Sequence, residues 1–320
     1  MGTSSSFDEF QKTVDADPAQ ISIARNRRDV FRQTLNRQPG VTVAWSSGSL
    51  RRGTQLKPIH DVDMVVEFDW AAHPDWGTPG TSSEEALSLV HDLVKAELGC
   101  PGGAVREWVR LVSPRDRAVK CFLDDPENTE AFTVDVMPVL RQANGTLLIP
   151  GKKGGLWTTA NPEHLIRLVE SRQAAWPYFR PLVRVLKQWR HSVTVTTEIK
   201  SLVMEVLALK CLPEQPASRA IGLRDFFTAA AVRVNESIDD PAGYCGPIQP
   251  DLDTIGLRAA LEEARDLADE AVAVEANGND GHARTLWKKV LGPGFPAPAS
   301  ATPKKTATLL TFPIADGPQG

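Results

Sequence analysis

Apolar and polar positions follow two different rhythms along this chain of 320 residues, and the change falls near its middle. Up to about residue 155 the apolar runs are short: 41–45, Met64-Val65-Val66, 105–112, 118–123, and Phe132-Thr-Val-Asp-Val-Met-Pro-Val-Leu140. Such runs, rich in Val, Trp, Phe and Leu and bounded by turn residues, predict strands. Helices flank them. Asp17 before Pro18 has the form of an N-cap followed by Pro at the first helical position. Ile21, Ala24, Val30, Phe31 and Leu35 then supply an apolar stripe up to the Pro39-Gly40 stop, so residues 1–38 read as helical. Ser82-Ser83-Glu84-Glu85 predicts a capped helix through Leu98, closed by Gly99. After Pro150-Gly151-Lys152-Lys153-Gly154-Gly155 the spacing turns helical over 162–291, with apolar centres at 165–169, 182–189, 202–212 and 257–271. No internal repeat interrupts it. Residues 293–320 are rich in Pro, Ala, Thr and Ser, the composition of a tail or a loosely docked strap. The division expected is 1–38 helical, 39–155 mixed strand and helix, 156–292 helical, and 293–320 tail.

The chemistry concentrates at the second strand. Asp61 and Asp63 stand at i and i+2, so both side chains point to one face at the strand's start. Two carboxylates so close repel unless a cation lies between them. Hard oxygen ligands favour Mg2+ or Mn2+. About a dozen residues earlier, Gly48 permits a close backbone approach, and the Ser49 hydroxyl with its neighbouring amides suits a phosphate. Asp135 is the one charge inside the run 132–140, and a charge there is costly unless paired or metal-bound. Three carboxylates can hold two metals roughly 3.5–4 Å apart, one for an attacking hydroxyl and one for a departing phosphate group. The competing structural reading makes Asp61 and Asp63 a solvated strand end and Asp135 a salt-bridged core residue.

Gly48-Ser49, Arg52, Thr54, Asp61-Val62-Asp63 and Asp135 resemble the G-S-x-x-R-x-T…D-x-D…D pattern of the polymerase-beta-like nucleotidyltransferases. Within that superfamily the chain resembles the bacterial cyclic-oligonucleotide synthases, the CD-NTases, relatives of cyclic GMP-AMP synthase and oligoadenylate synthase. The resemblance covers about 20–292. It implies an α+β fold: a mixed-sheet nucleotidyltransferase core over 39–155, a helical lobe over 156–292, and an active site in the cleft between them. It also implies that the helices of 1–38 brace both lobes. The activity implied is metal-dependent conversion of NTPs, ATP among them, into a cyclic di- or trinucleotide in anti-phage signalling, with two Mg2+ or Mn2+ ions on Asp61, Asp63 and Asp135. Gly48, Ser49, Arg52, Thr54, Lys187 and Ser201 are the nucleotide-binding residues it suggests.

Two of these residues have bland readings as well. Leu182, Val185, Leu186 and Trp189 form one apolar helix face, with Arg180, Arg184, Lys187 and His191 opposite. A basic face of that kind is commonly solvated, and that reading stands for Arg180, Arg184 and His191. For Lys187 the Lys-x-Trp pattern resembles the family's contact to the donor triphosphate. Ser201 opens a helix, where unpaired amides favour an anion, although a Ser there is often just a cap. The Lys200-Ser201 pair with Glu205 resembles the family's second triphosphate segment. Leu50 and Leu202 stand where some relatives carry base-stacking residues, so no stacking residue carries over. Glu67 receives no role.

Composition narrows the partners. The balance of 42% hydrophobic and 24% charged residues is that of an ordinary globular protein, and no apolar run reaches the ~18–20 residues that cross a membrane. A cytoplasmic location is expected. A net charge of −4 disfavours wrapping long nucleic acid, which calls for a broad basic surface. Cys100, Cys121, Cys211 and Cys245 form no CxxC pair, the pattern of reduced thiols. The terminal Gly320 is sterically suited to conjugation by ubiquitin-like ligation machinery, as in some resembling synthases. Two other function classes compete: a transferase making linear oligoadenylate or RNA tails, and a catalytically silent nucleotide-binding scaffold.

Overall fold

The computed structural model describes residues 2–99 and 109–298. The expectations for 105–108, Cys100, Gly320 and the tail from 299 onward lie outside them. Seven strands form one mixed sheet: β1 (Val41–Ser47), β2 (Asp61–Phe68), β3 (Leu111–Pro114), β4 (Val119–Phe122), β5 (Thr133–Arg141), β6 (Leu147–Gly151) and β7 (Leu156–Ala160). The order is β1-β2-β5-β4-β3, with β6 hydrogen-bonded to the end of β5 and β7 to β6. β2 and β5 run parallel and the other pairs antiparallel.

Period-two alternation along β2 decides what each face of the sheet does. Val62, Met64, Val66 and Phe68 pack into a buried cluster with Ala24, Phe31, Leu35, Ala86, Leu87 and Val90, which belong to helices α2 (Pro18–Leu35) and α4 (Ser82–Glu97). Asp61, Asp63, Val65 and Glu67 point the other way, towards the helical half. A slip of one residue in register would bury the aspartates under the helices. Glu67 itself is buried, and Trp45 Nε1 donates to it at 2.7 Å while Arg141 Nε does so at 2.7 Å. Arg141 also reaches Glu163 at 3.0 Å, which ties the sheet to the next helix. Arg141→Ala leaves the Glu67 carboxylate buried with Trp45 as its remaining donor. We expect a loss of about 2–3 kcal/mol, read as a lower urea midpoint at unchanged slope.

The helical half contains α5 (Pro162–Ala175), α6 (Phe179–Trp189), α7 (Ser201–Cys211), α8 (Arg219–Arg233), α9 (Thr254–Ala276) and α10 (Asp280–Leu291). Its apolar cluster also takes in Phe7, Phe10 and Val14 of α1 (Thr3–Val14). The N-terminal segment is therefore two helices, one for each cluster, and the chain bends between them at 15–17. As the sequence indicated, Asp17 caps α2, accepting from the Gln20 amide at 2.8 Å with Pro18 in the first turn. The cap of α4 falls one residue earlier than the Ser-Ser-Glu-Glu pattern indicated, at Thr81, whose side chain makes no capping bond. Residue 295 departs from the tail reading: Phe295 is buried against Phe7 and Phe10, with ring centroids 5.1 and 5.5 Å away.

The basic face of α6 is solvated only in part: His191 is exposed, but Arg184 and Lys187 are engaged within the protein. Arg184 pairs with Asp15 at 2.6 Å and donates to the Gly53 carbonyl at 2.6 Å, so it spans the bend between α1 and α2 and the turn at 53. Periodicity separates polar from apolar faces but does not say what covers the polar one.

Candidate active site

Register brings the site together. Across neighbouring strands, Ser47 lies opposite Asp63, Asp63 opposite Asp135, and Asp135 opposite Lys120. The four residues form a row over β1, β2, β5 and β4, with Asp61 two positions earlier on β2. Lys120 Nζ lies 3.8 Å from Asp135 Oδ1. Because β1 ends beside Asp63, the next residue must turn away sharply. Gly48 does so with φ +68, and an ideal Cβ there would lie 1.6 Å from Asp63 Oδ2. The glycine is required twice, for its backbone angle and for the space. It opens the short helix α3 (Gly48–Arg52), which ends at Gly53 in the left-handed conformation.

The electrostatics are those of an anionic site short of cations. Asp63 is pushed up to about 7, first by burial and then by repulsion from Asp61 and Asp135, against the opposing pull of Arg52 and Lys120. Burial likewise raises Asp135, which Lys120 partly offsets. Asp135 Oδ1 is buried without a hydrogen-bond partner. As they stand, no three Asp, Glu, His or Cys side chains among the described residues converge on a single point as metal ligands. The donor chemistry nevertheless fits a hard divalent cation. The oxygens are all carboxylate, one makes no hydrogen bond, and their mutual repulsion is what a cation would relieve.

A cavity of about 650 Å³ opens over this row. Gly48, Ser49, Arg52, Asp61, Asp63 and Asp135 line it from the sheet side, and Lys200, Ser201 and Leu202 from the N-terminus of α7. Asp240 and Cys245, on the segment between α8 and α9, also line it. Two residues expected to touch the nucleotide stand elsewhere. Thr54 and Lys187 are buried and do not line the cavity. Lys187 Nζ donates to the Thr54 carbonyl at 2.8 Å and lies 3.9 Å from Glu205. Arg52 lines the cavity yet bonds Glu205 through Nε at 2.5 Å. A charged side chain without its own partner is free for phosphate; Lys187 has both of its neighbours inside the protein. Burial lowers it to about 8, with Glu205 opposing.

Sequence reasoning passed over Lys120, Arg117 and the part played by Glu205. Arg117 lines the cavity from the β3–β4 turn, and nothing in its neighbours in sequence marks it. Glu205 carried a usable signal: it is the one acidic residue within the apolar run 202–209, as Asp135 is within its own run.

No family model matches the chain. A probable cyclic nucleotide synthase of Bacillus cereus strain VD146 is 25% identical over 92% of this chain and 97% of that protein. Among solved structures, CdnC of E. coli MS115-1 with ATP superposes with a TM-score of 0.69 at 17% identity, covering 92% of this chain and 99% of that one. The Bradyrhizobium diazoefficiens CD-NTase CdnG in complex with GTP gives a TM-score of 0.64 at 13% identity over 90% of this chain and 94% of that one. The chain has the fold of the CD-NTases. The similarity in sequence is thus to a protein named as a probable cyclic nucleotide synthase, and the similarity in structure is to nucleotide-bound CD-NTases. The sheet packs with α2, α3 and α4 in one apolar cluster, and the helical cluster lies across the cavity from it. Among the described residues no helix is long and apolar enough to cross a membrane.

Proposed function

We propose that this CD-NTase joins nucleoside triphosphates, ATP among them, into a cyclic di- or trinucleotide with release of pyrophosphate, as a messenger in bacterial anti-phage signalling. One observation carries the proposal: Asp63 and Asp135 are in register beside Asp61, facing a cavity large enough for nucleotides, with Asp135 Oδ1 making no hydrogen bond. Asp61, Asp63 and Asp135 are the residues that would hold Mg2+ or Mn2+, two ions in the reading made from sequence. Bound cations would supply charge neutralisation at the reacting phosphates.

The chain's own residues do the rest. The Gly48–Ser49 turn and the N-terminus of α7 at Ser201 face each other across the cavity, and both present amides and hydroxyls suited to a triphosphate. A ribose hydroxyl oxygen of the acceptor attacks the donor α-phosphorus. The bond to the β-phosphate oxygen breaks, and pyrophosphate leaves. Asp135 is the nearest candidate to take up the hydroxyl proton. Positioning and electrostatics account for most of the rate in such a transfer.

Mass spectrometry of products formed from all four NTPs with Mg2+ or Mn2+ tests this, with the Asp61→Asn/Asp63→Asn protein alongside. The expected result is a cyclic di- or trinucleotide made by the wild type and absent from the variant. Linear chains would replace the cyclic reading with a tailing one. NTP binding without any product would favour a scaffold.

A further inference from the structure

The sheet and the helical half meet at one buried carboxylate. Glu205, fully buried on α7, accepts from Arg52 Nε at 2.5 Å and Nη2 at 3.3 Å, and from Thr54 Oγ1 at 3.1 Å. Lys187 adds a second cation at 3.9 Å and grips the Thr54 carbonyl at 2.8 Å. One turn earlier on α6, Arg184 holds the Gly53 carbonyl at 2.6 Å. Residues 52–54 are thus fastened to α6 and α7 through both side chain and backbone. A carboxylate stripped of water is retained in such a place because its donors replace the lost hydration.

The position of this clamp gives it a further consequence. Arg52 closes the short helix that Gly48 and Ser49 begin, and Glu205 lies four residues after Ser201, on the same face of α7. The two walls of the cavity are therefore joined from Arg52 on the sheet side to a residue one helical turn behind Ser201 on α7. Resting on the function proposed above, we infer that Glu205 is a positioning residue. It fixes the gap between the Gly48–Ser49 turn and the Ser201 end of α7, and with it the grip on the nucleoside triphosphate. Lys187 serves this clamp, where the resemblance had placed it on the triphosphate.

A residue that only stabilised the fold would change melting temperature and leave substrate affinity alone. The test is ATP affinity by titration calorimetry together with KM and kcat for product formation, at a temperature where every variant is folded. Glu205→Gln keeps the shape and removes the charge. It is expected to raise Kd and KM for ATP about tenfold, the equivalent of a misplaced hydrogen-bonded contact, with kcat changed less than about threefold. Ser201→Ala is expected to act through the same gap, so the double variant should exceed the worse single by no more than about twofold. Thr54→Val removes one bond to Glu205 and decides the question if Glu205→Gln does not fold, with an expected rise of about threefold in Kd. Kd and KM within twofold of wild type in the variants, or effects of Ser201→Ala and Glu205→Gln that multiply independently, would overturn the inference. A wild type that binds ATP without making product would remove the proposed function, and the clamp would still be judged by Kd.

Discussion

Asp63→Asn is expected to abolish pyrophosphate release while making the metal-free protein more stable. The loss follows from removing the central carboxylate of the row, and at least about a thousandfold fall in kcat is expected, on the scale of removing a principal electrostatic contributor to catalysis. The gain follows from the same carboxylate's displaced titration. Asp63 rises from 3.8 to about 7 because burial and two neighbouring carboxylates oppose its charge. A group whose native pKa is raised weakens the fold above its unfolded value, and the penalty grows as pH climbs from about 4 to about 7. A displacement of that size corresponds to about 4 kcal/mol, which we discount to about 2 because the side chain keeps some contact with solvent. At pH 8 without divalent metal, Asp63→Asn should therefore melt a few degrees above wild type. The difference should shrink as pH falls towards 5, where the wild-type carboxyl is protonated. Differential scanning calorimetry across pH reads it directly. A variant less stable than wild type at pH 8 would mean that the carboxylate cluster is already compensated within the chain.

Gly48→Ala should have the second largest effect, and it separates space from backbone angle. The added methyl would overlap Asp63 Oδ2, since an ideal Cβ falls 1.6 Å from it, on a backbone at φ +68. The left-handed angle alone costs about 1–2 kcal/mol in a residue with a Cβ. Gly145 supplies the comparison: its φ is +84, and an added Cβ would meet nothing within 4 Å. Gly145→Ala is expected to lower stability by about 1 kcal/mol and leave turnover intact. Gly48→Ala should lower stability at least as much and reduce kcat/KM by at least about a hundredfold, because Asp63 is displaced from the row. Equal activities in the two variants would show that the contact with Asp63 is not needed for the reaction.

The carboxylates were legible in the sequence because burial is costly. A charge inside an apolar strand needs a reason, and the i, i+2 spacing of Asp61 and Asp63 fixes which face they share before any fold is known. Gly48 was legible for the same kind of reason, as a residue suited to a close approach. The cap at Asp17 followed from local hydrogen bonding, which depends on residues three positions apart. The expected mixed core and helical half follow from period-two and helical spacing.

Pairings across long stretches of chain were beyond it. That Asp135 stands opposite Asp63 depends on β5 joining β2 in parallel, with 71 residues between the two aspartates, the sequence positions being 63 and 135. Arg117 and Lys120 enter the site because β4 adds to β5, and nothing local requires that. Lys187 and Thr54 lie away from the cavity for a related reason. Their types and spacing suit a phosphate, but a buried acid 18 residues further on, Glu205 to Lys187, claims both. Sequence by itself determined that Asp61 and Asp63 share one face of their strand and that Asp135 is a charge set in an apolar run, since periodicity and the cost of burying charge act locally. Tertiary structure alone decided which of those charges face the cavity and which neutralise one another across the two halves, since partnership between distant side chains is set by packing.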